Sequence, residues 1–259
     1  MPFYFGSNFK MTQTPSDSRV FVSTLAKQLS DASKALPTNV QTFVIPPFTS
    51  LAGLASTCRQ ADIWLGAQTM HDALTGAFTG EISAPMLKEL EVNMVMLGHA
   101  ERRQLFGETD AALQRKVDTA LSQKLKVLLC VGETAEERAY GITREIVSRQ
   151  LRVALHNTTY EMLTKTNLLI AYEPVWAIGE AGSEASPQDI AESVGIIRET
   201  LNDVFPELSI PLLYGGSVNL DNCADYAALE GIDGLFVGRA AWTVEGYLAV
   251  LTKGAKASS

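Results

Sequence analysis

Three side chains in this sequence are of the types needed to move a proton between carbon atoms: Glu173, His99 and Lys10. Glu173 stands in Ala171-Tyr-Glu-Pro-Val-Trp-Ala-Ile-Gly179, after an apolar run from Asn167 to Tyr172 that reads as a buried strand. A carboxylate at the carboxyl end of such a strand is where parallel α/β folds place their chemistry. Pro174 stiffens the next step, and Gly179 and Gly182 let the chain bend. The segment from Gly179 to Pro187 therefore reads as a lid following a fixed base. Taken alone, it fits equally well a strand-end glutamate paired with a surface cation. His99 precedes a helix-forming run, Ala100-Glu101-Arg102-Arg103. An imidazole at a helix amino terminus meets the positive end of the helix dipole, which favours a neutral ring that donates a hydrogen bond to a substrate oxygen. With Glu173 taking a proton from a carbon next to a carbonyl, and Lys10 stabilising an oxyanion or holding a phosphate, these are the parts of an aldose–ketose isomerisation through an enediol.

Such a set needs a scaffold that brings distant segments to one place. Short β-like runs lie near Phe3–Ser7, Gln41–Ile45, Ile63–Ala67, Met94–Gly98, Val127–Val131, Leu168–Tyr172, Leu212–Tyr214 and Leu235–Val237. Most are apolar throughout, the pattern of parallel strands covered on both faces. Helical stretches alternate with them: Pro15 to Ser33, Thr109 to Gln123, one opened by Pro187 with Ser186 as its cap, Asn219 to Leu229, and Val244 to Leu251. Eight strands alternating with helices predict an α/β fold, a single (β/α)8 barrel domain over 1–259. An open dinucleotide-binding sheet is the competing arrangement, but its Gly-x-Gly-x-x-Gly turn is missing after the first strand, where Gly6-Ser-Asn-Phe-Lys10 stands. The strand ends then carry Asn8 and Lys10, Gln68, His99, Glu133, Glu173, Gly215-Gly216-Ser217 and Gly238-Arg239 to one mouth. Glycines before helices expose backbone N–H groups suited to phosphate. Each of these has a plainer reading by itself: a solvated lysine, a structural histidine, a tight turn. Their coincidence at the ends of different strands favours a site.

Composition narrows the partners. The chain has 259 residues, 46% hydrophobic and 19% charged, ample for a large core. A net charge of -8 argues against nucleic acid as the main partner, though not against a small phosphate. The three cysteines, Cys58, Cys130 and Cys223, are too widely spaced for a disulfide framework or a metal site. No signal peptide and no membrane-spanning stretch is read, so a cytoplasmic protein is expected. The tail from Lys253 to Ser259 is small and polar and is expected to fray.

Along essentially its whole length the sequence resembles the triosephosphate isomerase family. The resemblance is carried by Asn8-Phe-Lys10, Gly76-Ala-Phe-Thr-Gly-Glu-Ile-Ser83, Leu97-Gly-His-Ala-Glu-Arg-Arg103 with Phe106-Gly-Glu108, and Cys130-Val-Gly-Glu133. To these add Ala171-Tyr-Glu-Pro-Val-Trp-Ala-Ile-Gly179 and Tyr214-Gly-Gly-Ser-Val218. That family is itself the standing example of a glutamate base with a neutral histidine and a closing loop, so these roles come with the resemblance. It implies Glu173 as general base, His99 as electrophile and proton shuttle, and Lys10 with Asn8 organising substrate charge. Glu101 would support the lysine and histidine. Gly179, Ser217 and Gly238 would bind phosphate through backbone N–H groups. Tyr214 and Ser217 would latch the closed lid, and Glu133 would meet the lid hinge at Trp176 in one state. The loop around Thr79 would insert into a partner subunit, implying a homodimer. No metal and no cofactor is implied, and the setting would be glycolysis and gluconeogenesis.

Three positions depart from the family pattern. Ala100 replaces the usual serine after the histidine. The lid is one residue longer, with Glu180-Ala-Gly-Ser-Glu-Ala185 at its middle. Gly238-Arg239 replaces a Gly-Gly pair, and its guanidinium would meet either the phosphate or a lid carboxylate. The departures cluster at the lid and phosphate end and leave Lys10, His99 and Glu173 in place. They bear on the substrate more than on the reaction. The main expectation is interconversion of glyceraldehyde 3-phosphate and dihydroxyacetone phosphate; the alternative is a four-carbon ketose phosphate such as an erythrulose phosphate. A non-catalytic sugar-phosphate sensor is a third reading, disfavoured because a sensor needs no base.

Overall fold

Side-chain alternation decides how this chain closes. In the computed structural model, which describes residues 2–32, 39–163, 167–178 and 184–258, the strands are β1 (Phe3–Asn8), β2 (Val40–Ile45), β3 (Ile63–Ala67), β4 (Met94–Leu97), β5 (Lys126–Val131), β6 (Leu168–Tyr172), β7 (Leu212–Tyr214) and β8 (Gly234–Val237). Each pairs in parallel with the next, and β8 returns to β1 with Tyr4 opposite Gly234 and Ser7 opposite Val237, closing the barrel. One parity of side chains fills the interior: Tyr4, Phe43, Ile45, Met94, Met96, Leu128, Cys130, Leu169, Ala171, Leu213 and Phe236. The other parity, including Phe3, Phe5, Val95, Leu97, Val127, Leu129, Leu168 and Ile170, packs outward under the helices. Both faces are buried, which is why the strands read as unbroken apolar runs. The expected (β/α)8 barrel is the observed fold.

Long helices return the chain between strands, among them Pro15–Ala32, Asp110–Ser122, Thr143–Ala154, Pro187–Val204 and Val244–Ala257. Ser186 does cap Pro187–Val204: its hydroxyl accepts from the Asp189 N–H, and Asp189 bonds back in a capping box. Three sequence expectations change. The last helix continues to Ala257 instead of fraying, because Gly254 and Ala255 are small enough to pack into the wall, where Leu235 and Phe3 lie against Gly254. The stretch from Asn219 to Leu229 is helical only over Cys223–Ala227, since the Asn219 side chain accepts from the N–H groups of Asp221 and Asn222 and makes a turn. β4 stops at Leu97, because Gly98 takes a left-handed φ of 80°.

No described helix is long and apolar enough to cross a membrane. All three cysteines are buried and free. Burial pushes the Cys58 thiol up to about 12 and raises that of Cys223, and Cys130 is pushed well above its ordinary range, first by burial and then by the neighbouring Glu173 carboxylate. Raised thiols stay protonated, and the thiolate is the reactive form. The native protein at pH 8 should therefore show no fast-reacting thiol towards an aromatic disulfide reagent, and three after unfolding. A stoichiometric fast reaction in the native state would contradict this packing.

Candidate active site

At the carboxyl ends of the strands lies a cavity of about 300 Å³. Asn8, Lys10, His99, Glu173, Ser217, Gly238 and Arg239 all line it, so the sequence expectations from five different strand ends converge. Ile178, Phe236 and Trp242 line it as well and carry no signal in the sequence, where each reads as an ordinary apolar residue.

Parity explains how Glu173 enters. Leu169 and Ala171 face the interior, and Glu173 continues that series one step past the end of β6. Its main chain is tied to β5 through its N–H to the Val131 carbonyl at 2.7 Å. That approach is so close that a Cβ on Gly132 would stand 1.9 Å from the Glu173 carbonyl oxygen. His99 has the wrong parity, since Val95 and Leu97 face outward. The left-handed Gly98 turns the chain so that His99 joins the cavity instead. Both side chains are nearly buried, Glu173 at 2% and His99 at 4% exposure.

The start of the helix Ala100–Phe106 organises the charges. The Glu101 N–H donates to His99 Nδ1 at 3.2 Å. An imidazole that accepts at Nδ1 carries its proton on Nε2, and Nε2 faces Glu173 Oε1 at 3.7 Å. The Ala100 N–H donates to Glu173 Oε2 at 3.1 Å, so this contact comes from the main chain and survives the loss of a serine hydroxyl. The Glu101 carboxylate holds the Lys10 ammonium at 2.6 Å. Lys10 is itself pinned: its N–H donates to Asn8 Oδ1 at 2.8 Å and its carbonyl accepts from Gln68 Nε2 at 2.7 Å. Gln68 therefore braces the Lys10 turn and does not line the cavity.

Glu133 also stays outside the cavity, contrary to its grouping with the mouth residues. Its outward parity, opposite to Cys130, buries it completely behind the wall. There it accepts from the Tyr172 hydroxyl at 3.2 Å and from Trp176 Nε1 at 2.8 Å, and the Arg138 guanidinium stacks over the Trp176 ring. Tyr214 lies in the same outer layer, and its buried hydroxyl has no hydrogen-bond partner among the described residues. Gly179 and Glu180 fall outside the described residues. Glu184 is described: it accepts from Asn222 Nδ2 at 2.8 Å and from the Tyr226 hydroxyl at 3.3 Å. Among the described residues, no group of three or more His, Cys, Asp or Glu is placed to hold a metal.

A closed parallel barrel with a carboxylate, an imidazole and an ammonium around one mouth has the parts of an acid–base isomerase. The profile of the triosephosphate isomerase family matches residues 3–254. The chain is 41% identical over 255 residues to an L-erythrulose-1-phosphate isomerase of Rhizobium rhizogenes, covering 97% of this chain and 94% of that protein. It is likewise 41% identical over 255 residues to an L-erythrulose-1-phosphate isomerase of Brucella abortus, covering 97% and 96%. It is also 41% identical over 247 residues to a triosephosphate isomerase of Caldanaerobacter subterraneus, covering 94% and 96%. The chain belongs to the triosephosphate isomerase family and is an isomerase of that family.

Gly132→Ala tests whether the close β5–β6 approach places Glu173. The added methyl must push the Glu173 main chain away, which should cost about 1–3 kcal/mol of stability by overpacking and remove most activity. Unchanged melting and turnover would show that this approach is not what sets the carboxylate.

Proposed function

We propose that this chain is a cofactor-independent sugar-phosphate isomerase that works through an enediol, and that its preferred substrate is a four-carbon ketose phosphate, erythrulose 1-phosphate. The convergence of Glu173, His99 and Lys10 on one cavity carries the reaction class. Glu173 removes the proton from the hydroxyl-bearing carbon next to the carbonyl. His99 Nε2–H donates to the oxygens as the enediol forms and moves a proton between them. Lys10, with Asn8, stabilises the developing oxyanion. The turns at Ser217 and Gly238-Arg239 supply the phosphate contacts, together with Gly179. Glu101 supports Lys10 and His99. Glu133 anchors Trp176, and the Tyr214 hydroxyl is unpaired among the described residues.

The chemistry of the two substrates explains how one site could serve either. In erythrulose 1-phosphate the carbonyl at C2 lies next to C3, which carries a hydrogen, a hydroxyl and a hydroxymethyl group. Loss of the C3 proton gives the C2–C3 enediol, and protonation at C2 leaves the carbonyl at C3, which is erythrulose 4-phosphate. Dihydroxyacetone phosphate presents the same fragment with a hydrogen in place of the hydroxymethyl group. Specificity is then a matter of room and contacts. The four-carbon names of the Rhizobium and Brucella relatives support the larger substrate, and Arg239 adds to the cavity a charged contact that a Gly-Gly pair would lack. The triose reading is supported by the Caldanaerobacter relative at the same identity. Loop residues around Thr79, with Leu74 and Phe78, are exposed, and they support assembly as a homodimer through this loop.

The direct experiment is a comparison of kcat/KM for erythrulose 1-phosphate and glyceraldehyde 3-phosphate under identical conditions. The four-carbon substrate should be favoured, and a preference for the triose would overturn that choice while leaving the reaction class intact. Glu173→Asp should keep the fold and lose about 100-fold or more in turnover, because it retracts the base by roughly one bond. Near wild-type turnover would remove the base assignment. Arg239→Gly should shift the four- to three-carbon kcat/KM ratio by about tenfold, and an unchanged ratio would rule out Arg239 as a specificity residue. Sedimentation should show a dimer at assay concentration, against which a fully active monomer would count.

A further inference from the structure

Trp242 stands where the two ends of the cavity meet. Its main-chain N–H donates to the Arg239 carbonyl at 3.2 Å, closing the turn Arg239–Ala241 that comes after β8. Its indole Nε1–H donates to the Asn8 main-chain carbonyl at 2.9 Å, and the side chain lines the cavity. One residue thus ties the turn after β8 to the turn after β1.

Pairing between β1 and β8 ends at Ser7 opposite Val237. The Phe9 N–H bonds to Ile45 on the β2 side, so the Asn8 carbonyl, one residue earlier, faces the β8 side beyond the last ladder bond. The indole supplies the partner that the ladder no longer provides. Two residues further along the chain, Lys10 holds a left-handed φ of 49°. A lysine keeps that unfavourable conformation only where its surroundings hold it. Asn8 Oδ1, Gln68 and Glu101 fix Lys10 relative to Asn8 and to β4, and the Trp242 indole bonds Asn8 to the Gly238-Arg239 side of the cavity.

We infer that Trp242 is a positioning residue: its indole hydrogen bond completes β1 on the β8 side and sets the Lys10 ammonium against the reacting oxygen of a substrate whose phosphate lies at the Gly238-Arg239 turn. This rests on the isomerase reading of Lys10 given above. The bond acts when charge develops on that oxygen, so its loss should fall on turnover and leave phosphate binding alone.

Trp242→Phe keeps an aromatic ring and removes the donor together with part of the indole's volume, so competition by inorganic phosphate separates the lost bond from a reshaped turn. With wild-type turnover of erythrulose 1-phosphate or glyceraldehyde 3-phosphate established first, the variant should lose about five- to tenfold in kcat, the range of one hydrogen bond, with KM changed by less than about twofold. A phosphorylated hydroxamate that mimics the planar enediolate should weaken in parallel with kcat, and competitive inhibition by inorganic phosphate should not move. An unchanged kcat overturns the inference. So does equal weakening of phosphate and hydroxamate, which would mean that Trp242 merely shapes the β8 turn. Should the variant fail to fold, ¹⁵N spectra of the wild-type protein decide the matter. The Trp242 indole N–H, assigned against Trp64→Phe and Trp176→Phe, should exchange slowly and shift on hydroxamate binding but not on phosphate binding. A fast-exchanging, unresponsive indole overturns the inference. A wild-type chain inactive on every sugar phosphate would remove the isomerase reading, and the indole exchange would still show whether the bond to Asn8 exists.

Discussion

The site depends on one short stretch of main chain, the helix start at His99–Glu101. Three contacts leave it in three directions. The Ala100 N–H reaches Glu173 at the end of β6, the Glu101 N–H fixes the His99 ring, and the Glu101 carboxylate holds Lys10 from β1. Two of these use backbone donors that a helix amino terminus leaves free in any case. A carboxylate, an imidazole and an ammonium are thereby placed by one rigid object and not by three separate loops. Charges held this way need little reorganisation when a new charge forms, which is where an acid–base site gains most of its effect. Gly98 is the condition for it all, since a side chain favouring extended backbone there would leave His99 on the outward parity of β4.

Around that hub the barrel divides its work between its two parities. Inward residues at the strand ends, Asn8, Glu173 and the turn after Phe236, line the cavity. Outward ones, Glu133, Tyr172 and Tyr214, form a buried polar layer behind it. Glu133 is wholly buried, so its carboxylate needs donors, and it finds them in Tyr172 and Trp176. That couples the wall to the residues after Glu173. Arg138 extends the coupling outward by stacking on Trp176 and bonding Asp189 of the Ser186 capping box.

Much of this is legible in the sequence. Unbroken apolar runs mark the strands, and the strand-end positions of Lys10, His99 and Glu173 mark the cavity. The exceptions have local causes. Glu133 sits one residue past a glycine, and the parity that sends it behind the wall depends on where β5 stops. The last helix runs on because Gly254 and Ala255 are small, a matter of tertiary packing that composition reads as looseness. Asn219 stands at the head of an apparent helix, yet its side chain bonds its own turn. Trp242 carries no signal at all, since a tryptophan near the start of a helix reads as core, and its N–H partner lies at the other end of the chain.

In the proposed reaction this hub sets one base and one donor across two adjacent carbons, so that a proton leaves one and is delivered to the other. Turnover of erythrulose 1-phosphate in heavy water tests it directly, with the product examined by NMR. Deuterium from solvent is expected at the carbon that was the carbonyl, because a proton held on Glu173 exchanges with solvent during part of each turnover. Product formed with the original hydrogen fully retained and no deuterium would contradict a proton held on a base that exchanges with solvent.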